Sequence, residues 1–266
     1  MAQRDLTGTV VIVTGAAGGL GAAIARRFSV VGARLALLDI DAIRLEAVAE
    51  SLPEALAVKC DLTDPAACME ATAAVIERFG PIDVLINNAG MTHRSAFVDT
   101  EPGVIRRVME VNYLGSANIT KAALPSLIDR SGAIAVVSSI AGFGPVLGRT
   151  GYAGSKHALH GLFDTLRAEL RATGVDVTII APTFIDTNMQ DRALGGDGVI
   201  TDHPQSRVGK QVTPDAVAER IYRAIERRRR FVVIGSVGHL ARIMTALAPG
   251  LYERMMARSL RSELDG

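Results

Sequence analysis

Tryptophan is absent from this chain of 266 residues, and aromatic residues together make up only 4% of it. Proteins that bind single-stranded nucleic acid without sequence preference stack the bases on aromatic side chains. The formal net charge is +1, which gives no overall attraction to a polyanion. We therefore expect no nucleic-acid partner.

Cysteine is scarce as well, since Cys60 and Cys68 are the only two. Two cysteines cannot form a framework of disulfides, and no group of Cys and His has the spacing of a metal site. No run of about 18 apolar residues occurs, and residues 1–8 lack the apolar core of a secretory signal. These absences predict a cytoplasmic protein without a bound metal.

Apolar residues are abundant, at 48% of the chain, and they follow a repeated pattern. Short runs rich in β-branched residues alternate with longer stretches of helical periodicity. The predicted strands are 9–14, 34–39, 55–60, 82–87, 133–138, 176–181 and 231–234, and the predicted helices are 22–28, 42–51, 66–79, 102–129 with an interruption near Gly115, 151–172 and 213–229. This alternation indicates one α/β domain over residues 1–266, with a parallel sheet between two layers of helices.

A glycine-rich turn joins the first predicted strand to the first predicted helix, with the spacing Thr14-Gly15-x-x-x-Gly19-x-Gly21. Glycines let the backbone come close to a pyrophosphate, and the start of a helix offers free N–H groups and the positive end of its dipole. A strand, such a turn and a helix in succession therefore predict a dinucleotide site. The alternative is a tight turn that binds nothing.

Tyr152 and Lys156 lie four residues apart, on one face of a predicted helix. An unperturbed phenol has a pKa of about 10, so it exchanges protons poorly near neutral pH. A cation one helical turn away should lower that pKa and make the phenol a usable acid and base. Taken alone, the pair could equally be an exposed contact on a helix surface.

Together with this pair, several motifs resemble the classical short-chain dehydrogenase/reductase family. Asn87-Asn88-Ala89-Gly90 follows the fourth predicted strand, Asn112 lies in the next helix, and Ser139 lies thirteen residues before Tyr152. The resemblance covers roughly residues 8–235. With it, the fold prediction becomes a Rossmann-type, doubly wound parallel sheet of about seven strands in the order 3-2-1-4-5-6-7.

The resemblance also implies roles for four catalytic residues. Tyr152 should exchange a proton with the alcohol oxygen while a hydride moves to or from the nicotinamide. Lys156 should lower the pKa of Tyr152 and bind the nicotinamide ribose. Ser139 should hydrogen-bond the substrate oxygen, and Asn112 should hold a water that links Lys156 to solvent.

Asp39 ends the second predicted strand and favours NAD as the cofactor. A carboxylate there accepts hydrogen bonds from the adenosine ribose and repels the 2′-phosphate of NADP. The alternative is that Asp39 caps the following helix. By the resemblance Asp61 contacts adenine, although it could equally be a turn residue. The residues expected to bind the cofactor are Gly15, Gly19, Leu20, Gly21, Asp39, Ile40, Asp61, Leu62, Asn88, Ala89, Gly90, Tyr152, Lys156, Pro182, Ile185 and Thr187.

Apolar side chains near the expected site indicate an apolar substrate, such as a steroid, a terpenoid or a lipid. The expected substrate contacts are Ser139, Tyr152, Phe143 and Phe184, with Val146, Leu147, Met189 and Leu194 nearby. The alternative is that these apolar residues pack a lid at about 186–211 against the body. Thr183 stands where the family has a glycine after Pro182, which leaves the backbone path beside the nicotinamide open.

The remaining features are three histidines and the C-terminal stretch. We expect His93 to be exposed in a loop, His157 to face a helix interface, and His203 to lie in the lid without a metal. Residues 236–262 have an amphipathic helical pattern with a basic face. This stretch could form a subunit interface or cover the pocket, contact a membrane surface weakly, or be a loose tail. The resemblance implies a homodimer or a homotetramer.

The leading functional hypothesis is an NAD-dependent oxidoreductase that acts on a secondary alcohol or ketone. Two alternatives stay open. One is an NAD(P)H-dependent ketoreductase for acyl or lipid substrates. The other is a nucleotide-binding regulatory protein without turnover, which the presence of all four catalytic residues disfavours.

Overall fold

A computed structural model describes residues 3–187, 189–203 and 209–264. Its strands are Val10–Thr14 (β1), Arg34–Asp39 (β2), Ala55–Lys59 (β3), Val84–Asn87 (β4), Ala133–Val137 (β5), Asp176–Pro182 (β6) and Phe231–Ile234 (β7). They form one sheet in the order β3-β2-β1-β4-β5-β6-β7, and every pairing is parallel. The predicted doubly wound fold and its strand order are confirmed.

The α-helices of the described ranges are Gly19–Ser29 (α1), Ala42–Glu50 (α2), Pro65–Phe79 (α3), Pro102–Met109 (α4), Gly115–Asp129 (α5), Thr150–Glu169 (α6), Pro214–Glu226 (α7), Ser236–Leu247 (α8) and Pro249–Ser259 (α9). Three of them begin at side chains that accept a hydrogen bond from the first turn. Asp41 accepts from Arg44 N in α2, Asp64 caps α3, and Thr213 caps α7. Such caps satisfy backbone donors that the helix itself leaves unpaired.

The sheet separates two hydrophobic clusters, and β1 contributes to both. Val11 and Val13 belong to the cluster under α1 and α7, whereas Val10 and Ile12 belong to the cluster under α3, α5 and α6. All four side chains are fully buried. Burial on both faces explains why this strand is a continuous apolar run rather than an alternating one.

The interruption predicted near Gly115 is a π-helical turn, Glu110–Leu114, that joins α4 to α5. Gly115 follows this turn and has a packing role, since a Cβ there would lie 3.0 Å from the Cβ of Leu62. Such single π-turns inside helices are frequent at functional sites. This one contains Asn112, which it places in the protein interior.

The C-terminal extension consists of two helices, α8 and α9, rather than one. Their inner faces form a cluster of Ala241, Tyr252, Met256 and Leu260 that packs against Phe143, Val146 and Leu147. Their outer faces leave Leu240, Ile243, Leu247, Leu251 and Met255 exposed. Within the described ranges, no helix combines the length and the apolar character needed to cross a bilayer.

Candidate active site

The carboxyl ends of the central strands open onto a cavity of about 840 Å³. Parallel strands converge on one edge in this way, and ligands of doubly wound sheets bind there. The side chains of Ser139, Tyr152 and Lys156 line the same cavity as the glycine-rich turn. Of the residues expected to bind the cofactor, those that line it are Gly15, Gly19, Leu20, Asp39, Ile40, Asp61, Leu62, Asn88, Ala89, Gly90, Tyr152, Lys156, Pro182, Ile185 and Thr187.

The glycines of the turn keep its backbone open to the cavity. Gly15 has φ +66°, and a Cβ there would lie 2.7 Å from Ala89 Cα. Gly21 does not line the cavity, but a Cβ on it would lie 2.1 Å from Gly15 O, so it is needed to pack α1 against the turn. The first turn of α1 carries no acidic residue. An open backbone and a helix start without negative charge fit a dinucleotide pyrophosphate.

Asn88 and Thr14 tie the end of β4 to the end of β1. The Asn88 side chain donates to Thr14 O at 2.9 Å and to Gly15 O at 3.2 Å, while Thr14 Oγ1 accepts from the backbone N of Asn88 and Ala89. Asn88 therefore fixes the position of the turn through the backbone, in addition to lining the cavity.

Asp39 is held beside the turn by its carboxylate, which accepts from Ala17 N at 3.0 Å and from Asp41 N at 3.0 Å. It does not cap α2, because Asp41 does so, and that alternative is wrong. Arg44, in the first turn of α2, also lines this end of the cavity. Arg44 was not anticipated from the sequence.

Asp61 lines the cavity and also forms a turn, since its carboxylate accepts from Thr63 N at 2.9 Å. The turn interpretation of this residue is confirmed, and the adenine contact stays a prediction. Thr187 comes close to the glycine-rich turn, because a Cβ on Gly19 would lie 3.4 Å from Thr187 Cβ. The segment after β6 thus reaches across the cavity to α1.

Lys156 is 3% exposed, and its Nζ donates to Val137 O at 2.9 Å. Burial lowers its pKa to about 8, because the charged form loses its hydration. The Nζ lies 5.6 Å from the centroid of the Tyr152 ring. Lys156 is thus placed beside the phenol, as its spacing predicts.

The predicted lowering of the Tyr152 pKa is wrong for this structure. Burial raises the pKa of Tyr152, and it outweighs the opposing effects of a hydrogen bond with Ser139 and of the positive charge on Arg149. Arg149 is thus a second cation beside the phenol, in addition to Lys156. A phenol with a raised pKa is protonated at neutral pH and holds its proton more tightly than a free phenol does.

Ser139 and Asn112 are positioned by backbone contacts. Ser139 begins a short 3₁₀ turn, and its Oγ accepts from Ala141 N at 3.2 Å. Asn112 does not line the cavity; its side chain exchanges hydrogen bonds with the backbone of Met91, at 2.8 and 2.9 Å, and donates to Ser155 Oγ at 2.9 Å. A Cβ on Gly90 would lie 3.1 Å from Asn112 Oδ1 and 3.7 Å from Lys156 Nζ, so the two polar groups flank the same glycine.

The substrate side of the cavity differs from the prediction at Phe143 and at Leu147, which both pack against the cluster of α8 and α9 instead. Phe184 lines the cavity, but Phe143 does not: it packs beneath α8 and α9, with its ring centroid 6.3 Å from that of Phe231. Other apolar lining residues include Val146, Met189, Leu194 and Ile200. Three arginines, Arg107, Arg149 and Arg192, also line the cavity. The arginines were not anticipated from the sequence.

The predicted lid lies partly outside the described residues, at 188 and 204–208. Its described part packs on the body, where Leu194 N donates to Thr92 O at 3.0 Å and Leu194 O accepts from Arg94 N at 2.7 Å. These two hydrogen bonds pair the segment with the loop after β4.

Thr183 takes part in a close contact with the start of α8. A Cβ on Gly235, which has φ +103°, would lie 2.4 Å from Thr183 Oγ1, and a Cβ on Gly238 would lie 3.0 Å from Thr183 Cγ2. Glycines at 235 and 238 thus make room for the side chain that replaces the glycine of the family. Thr183 also lines the cavity.

Two expectations about histidines are wrong. His93 is fully buried, and its Nε2 accepts from Gly151 N at 2.9 Å, which fixes the first turn of α6. Burial, together with the charge on Arg149, lowers the pKa of His93 to about 4, so it is neutral. His157 is exposed rather than packed in a helix interface.

No cluster of three or more His, Cys, Asp or Glu residues suited to a metal occurs in the described ranges.

The chain is similar to known proteins along most of its length. Residues 9–195 match the model of the short chain dehydrogenase family. Dehydrogenase/reductase SDR family member 7B of Bos taurus is 40% identical over 96% of this chain and 82% of that protein, and the Danio rerio protein of the same name is 38% identical over 98% and 88%.

Solved structures are similar over nearly the whole chain. A short-chain dehydrogenase/reductase from Burkholderia phymatum in complex with NAD has a TM-score of 0.81 and 25% identity, covering 95% of this chain and 96% of that one. A short chain dehydrogenase from Burkholderia cenocepacia J2315 in complex with NADP has a TM-score of 0.82 and 25% identity, covering 95% and 99%. The chain belongs to the classical short-chain dehydrogenase/reductase family, and it is an oxidoreductase that uses a nicotinamide cofactor.

Proposed function

We propose that the protein transfers a hydride between NAD(H) and a secondary alcohol or ketone with an apolar body. The observation that carries the proposal is that Tyr152, Lys156 and Ser139 line one cavity together with the glycine-rich turn. A proton donor and a dinucleotide site must face the same space for this reaction. The nicotinamide, when bound, supplies or accepts the hydride.

Tyr152 supplies the proton in the direction of ketone reduction. The phenol is protonated at neutral pH, so it has a proton to give to the carbonyl oxygen as negative charge develops there. Lys156 and Arg149 bring positive charge to the phenolate that remains. Ser139 donates a hydrogen bond to the same substrate oxygen and fixes its position.

Asp39 supports NAD as the preferred cofactor, because its carboxylate repels a 2′-phosphate. Arg44 works in the opposite direction, since a guanidinium at the same end of the cavity attracts phosphate. Two backbone donors fix the Asp39 carboxylate. Arg44 is exposed, and its Nε lies 3.5 Å from Asp41 Oδ2. The fixed charge should dominate, and NAD is therefore the proposed cofactor.

A second candidate function is favoured by the arginines of the cavity. Arg107 and Arg192 are exposed at its substrate side, among apolar residues such as Phe184 and Leu194. An apolar chain that ends in an anionic group would match both kinds of lining. This favours reduction of a keto group in an acyl or lipid substrate as the alternative to a neutral alcohol.

The test of the proposed function follows NADH absorbance with a panel of carbonyl compounds. The panel contains 2-decanone, a 3-ketosteroid and an anionic 3-oxoacyl thioester, each tested with NADH and with NADPH. Replacing Tyr152 by Phe should lower kcat on the best substrate by about 100-fold or more, which is the usual contribution of a positioned acid. NADH binding, measured by fluorescence titration, should change little.

Tyr113→Phe is the matched control, because Tyr113 loses the same hydroxyl outside the cavity. Its kcat should equal that of the unaltered protein. Unchanged turnover in Tyr152→Phe would refute the proton-donor role. NADH binding without turnover of any compound would instead support the regulatory alternative.

A further inference from the structure

Glu263 lies near the C-terminal end of the described chain, against the start of α6, the helix that contains Tyr152 and is called the tyrosine helix below. It is 1% exposed and belongs to the 3₁₀ turn Arg261–Leu264. Its Oε2 lies 3.5 Å from Arg149 Nη2 and 3.7 Å from Arg94 Nε. The side chains of the two arginines are only 5% and 4% exposed. A carboxylate buried at this depth is tolerated only beside compensating charge.

Arg149 connects this ion cluster to the reaction site. It is the residue immediately before α6, three residues ahead of Tyr152, and it lines the cavity. Its positive charge is the one that opposes the effect of burial on the pKa of Tyr152. The place of the Arg149 guanidinium therefore matters for the phenol.

The backbone brings the C-terminal turn to the same point. Gly148 has φ +67°, and a Cβ there would lie 2.8 Å from Glu263 O, so only glycine allows this approach. Gly148 O in turn accepts from Ser95 N at 2.9 Å. Leu260 is 1% exposed within the cluster of α8 and α9, and this fixes the turn from its other side.

Arg94 extends the cluster toward the segment at 189–203. Its Nη1 donates to His203 O, and its backbone N donates to Leu194 O at 2.7 Å. Glu263 is therefore in contact with two arginines, one joined to the segment over the cavity and one joined to the tyrosine helix.

We propose that Glu263 is a positioning residue for catalysis. Its carboxylate holds the Arg149 guanidinium, and with it the start of α6, in the arrangement that places the Tyr152 hydroxyl at the substrate. This inference rests on the proposed hydride transfer. It gives the C-terminal turn a part in the reaction although the turn contributes no side chain to the family motifs.

The test is a double-mutant cycle on kcat with Glu263→Gln and Arg149→Met in the full chain. Glutamine keeps the shape of the side chain and removes its charge. We expect Glu263→Gln to lower kcat about 10-fold, because small displacements of a catalytic group have effects of this size or larger. In the Arg149→Met background the same change should alter kcat by less than about two-fold, since Glu263 acts through Arg149.

The measurements use NADH with the carbonyl compound of the panel that the unaltered protein reduces fastest. All rates are taken well below the midpoint of thermal unfolding of each variant. The NADH dissociation constant should stay within about two-fold, which separates positioning from general disruption of the site. Glu253→Gln is the matched control, because Glu253 is an exposed acid of α9, and its kcat should equal that of the unaltered protein.

Equal effects of Glu263→Gln in both backgrounds, or a lower unfolding temperature with unchanged kcat, would show that Glu263 only stabilises the fold and would overturn the proposal. If Glu263→Gln does not fold, the cycle is run with Glu263→Asp, which keeps the charge but withdraws it by one methylene. Failure of the unaltered protein to reduce any compound would refute the proposed function, and the inference with it. Turnover with no coupling would refute the inference alone.

Discussion

The buried charge of Lys156 should lower the unfolding free energy of the protein at pH 7. Replacing Lys156 by methionine tests this. The ammonium group is 3% exposed, and burial lowers its pKa from 10.5 to about 8. Each unit of pKa corresponds to about 1.4 kcal/mol of difference between the two protonation states. At pH 7 the charged lysine therefore costs the folded state about 3 kcal/mol relative to an uncharged group.

The pH dependence of this cost has a definite sign. Between pH 8 and pH 10.5 the unfolded chain keeps the proton of Lys156 while the folded chain releases it. The destabilisation is therefore fully present below about pH 8 and disappears as the pH rises through this window. By the same relation it falls from about 3 kcal/mol at pH 7 to about 1.5 kcal/mol at pH 9.5.

Methionine at position 156 also removes the hydrogen bond to Val137 O. Loss of a partner for a buried carbonyl costs about 1–3 kcal/mol and does not depend on pH in this range. The net gain in stability at pH 7 is thus smaller than the full electrostatic cost. The change of that gain with pH is the cleaner quantity, because the hydrogen-bond contribution cancels in it.

The assay is equilibrium unfolding in urea of the unaltered protein and Lys156→Met, at pH 7 and at pH 9.5. The difference in unfolding free energy between the two proteins should shift by about 2 kcal/mol between these pH values, against the variant at the higher pH. Lys59→Met, at an exposed position of β3, should show no such shift. A difference that is the same at both pH values would refute the account of Lys156 as a buried, costly cation.

Two further predictions concern the cofactor site, and a third concerns the stability of α6. Asp39→Ala should raise the ratio of kcat/KM with NADPH to kcat/KM with NADH by about 10-fold or more, because it removes a carboxylate that repels the 2′-phosphate. Arg44→Ala should lower the same ratio. An unchanged ratio in both variants would contradict the proposed roles of Asp39 and Arg44 in cofactor choice. Gly21→Ala should weaken NADH binding at least about 10-fold in fluorescence titrations, because its Cβ would lie 2.1 Å from Gly15 O. Gly154→Ala, where a Cβ meets nothing within 4 Å, should instead raise the unfolding free energy by about 0.5–1 kcal/mol.

The fold follows from the sequence because its signals are local and repeated. Each strand contains a short apolar run, and the burial of β1 on both faces explains why its first four residues are all apolar. The glycine-rich turn and the Tyr152–Lys156 spacing are local in the same sense. Periodicity and spacing therefore place these residues at one edge of the sheet before any coordinates are known.

The errors concern contacts between segments far apart in the chain. His93 lies three residues after Gly90, in the sequence context of an exposed loop, yet it is buried and accepts a hydrogen bond from Gly151 N. Phe143 is close to Ser139 in sequence, but α8 and α9, about a hundred residues later, draw it away from the cavity. No local pattern encodes such contacts, since they depend on how distant elements pack.

The pKa of Tyr152 depends both on its local sequence motif and on contacts with distant parts of the chain. Burial acts on Tyr152 and Lys156 in opposite directions: it raises the pKa of the phenol and lowers that of the amine. The four-residue spacing predicts only an attraction between the Tyr152 phenolate and the Lys156 ammonium group. It does not predict how deeply either group is buried. Arg149 opposes the effect of burial on the phenol, and Arg149 is held by a carboxylate at the other end of the chain. The proton chemistry of the motif therefore depends on the folded C-terminal turn as well as on the four-residue spacing.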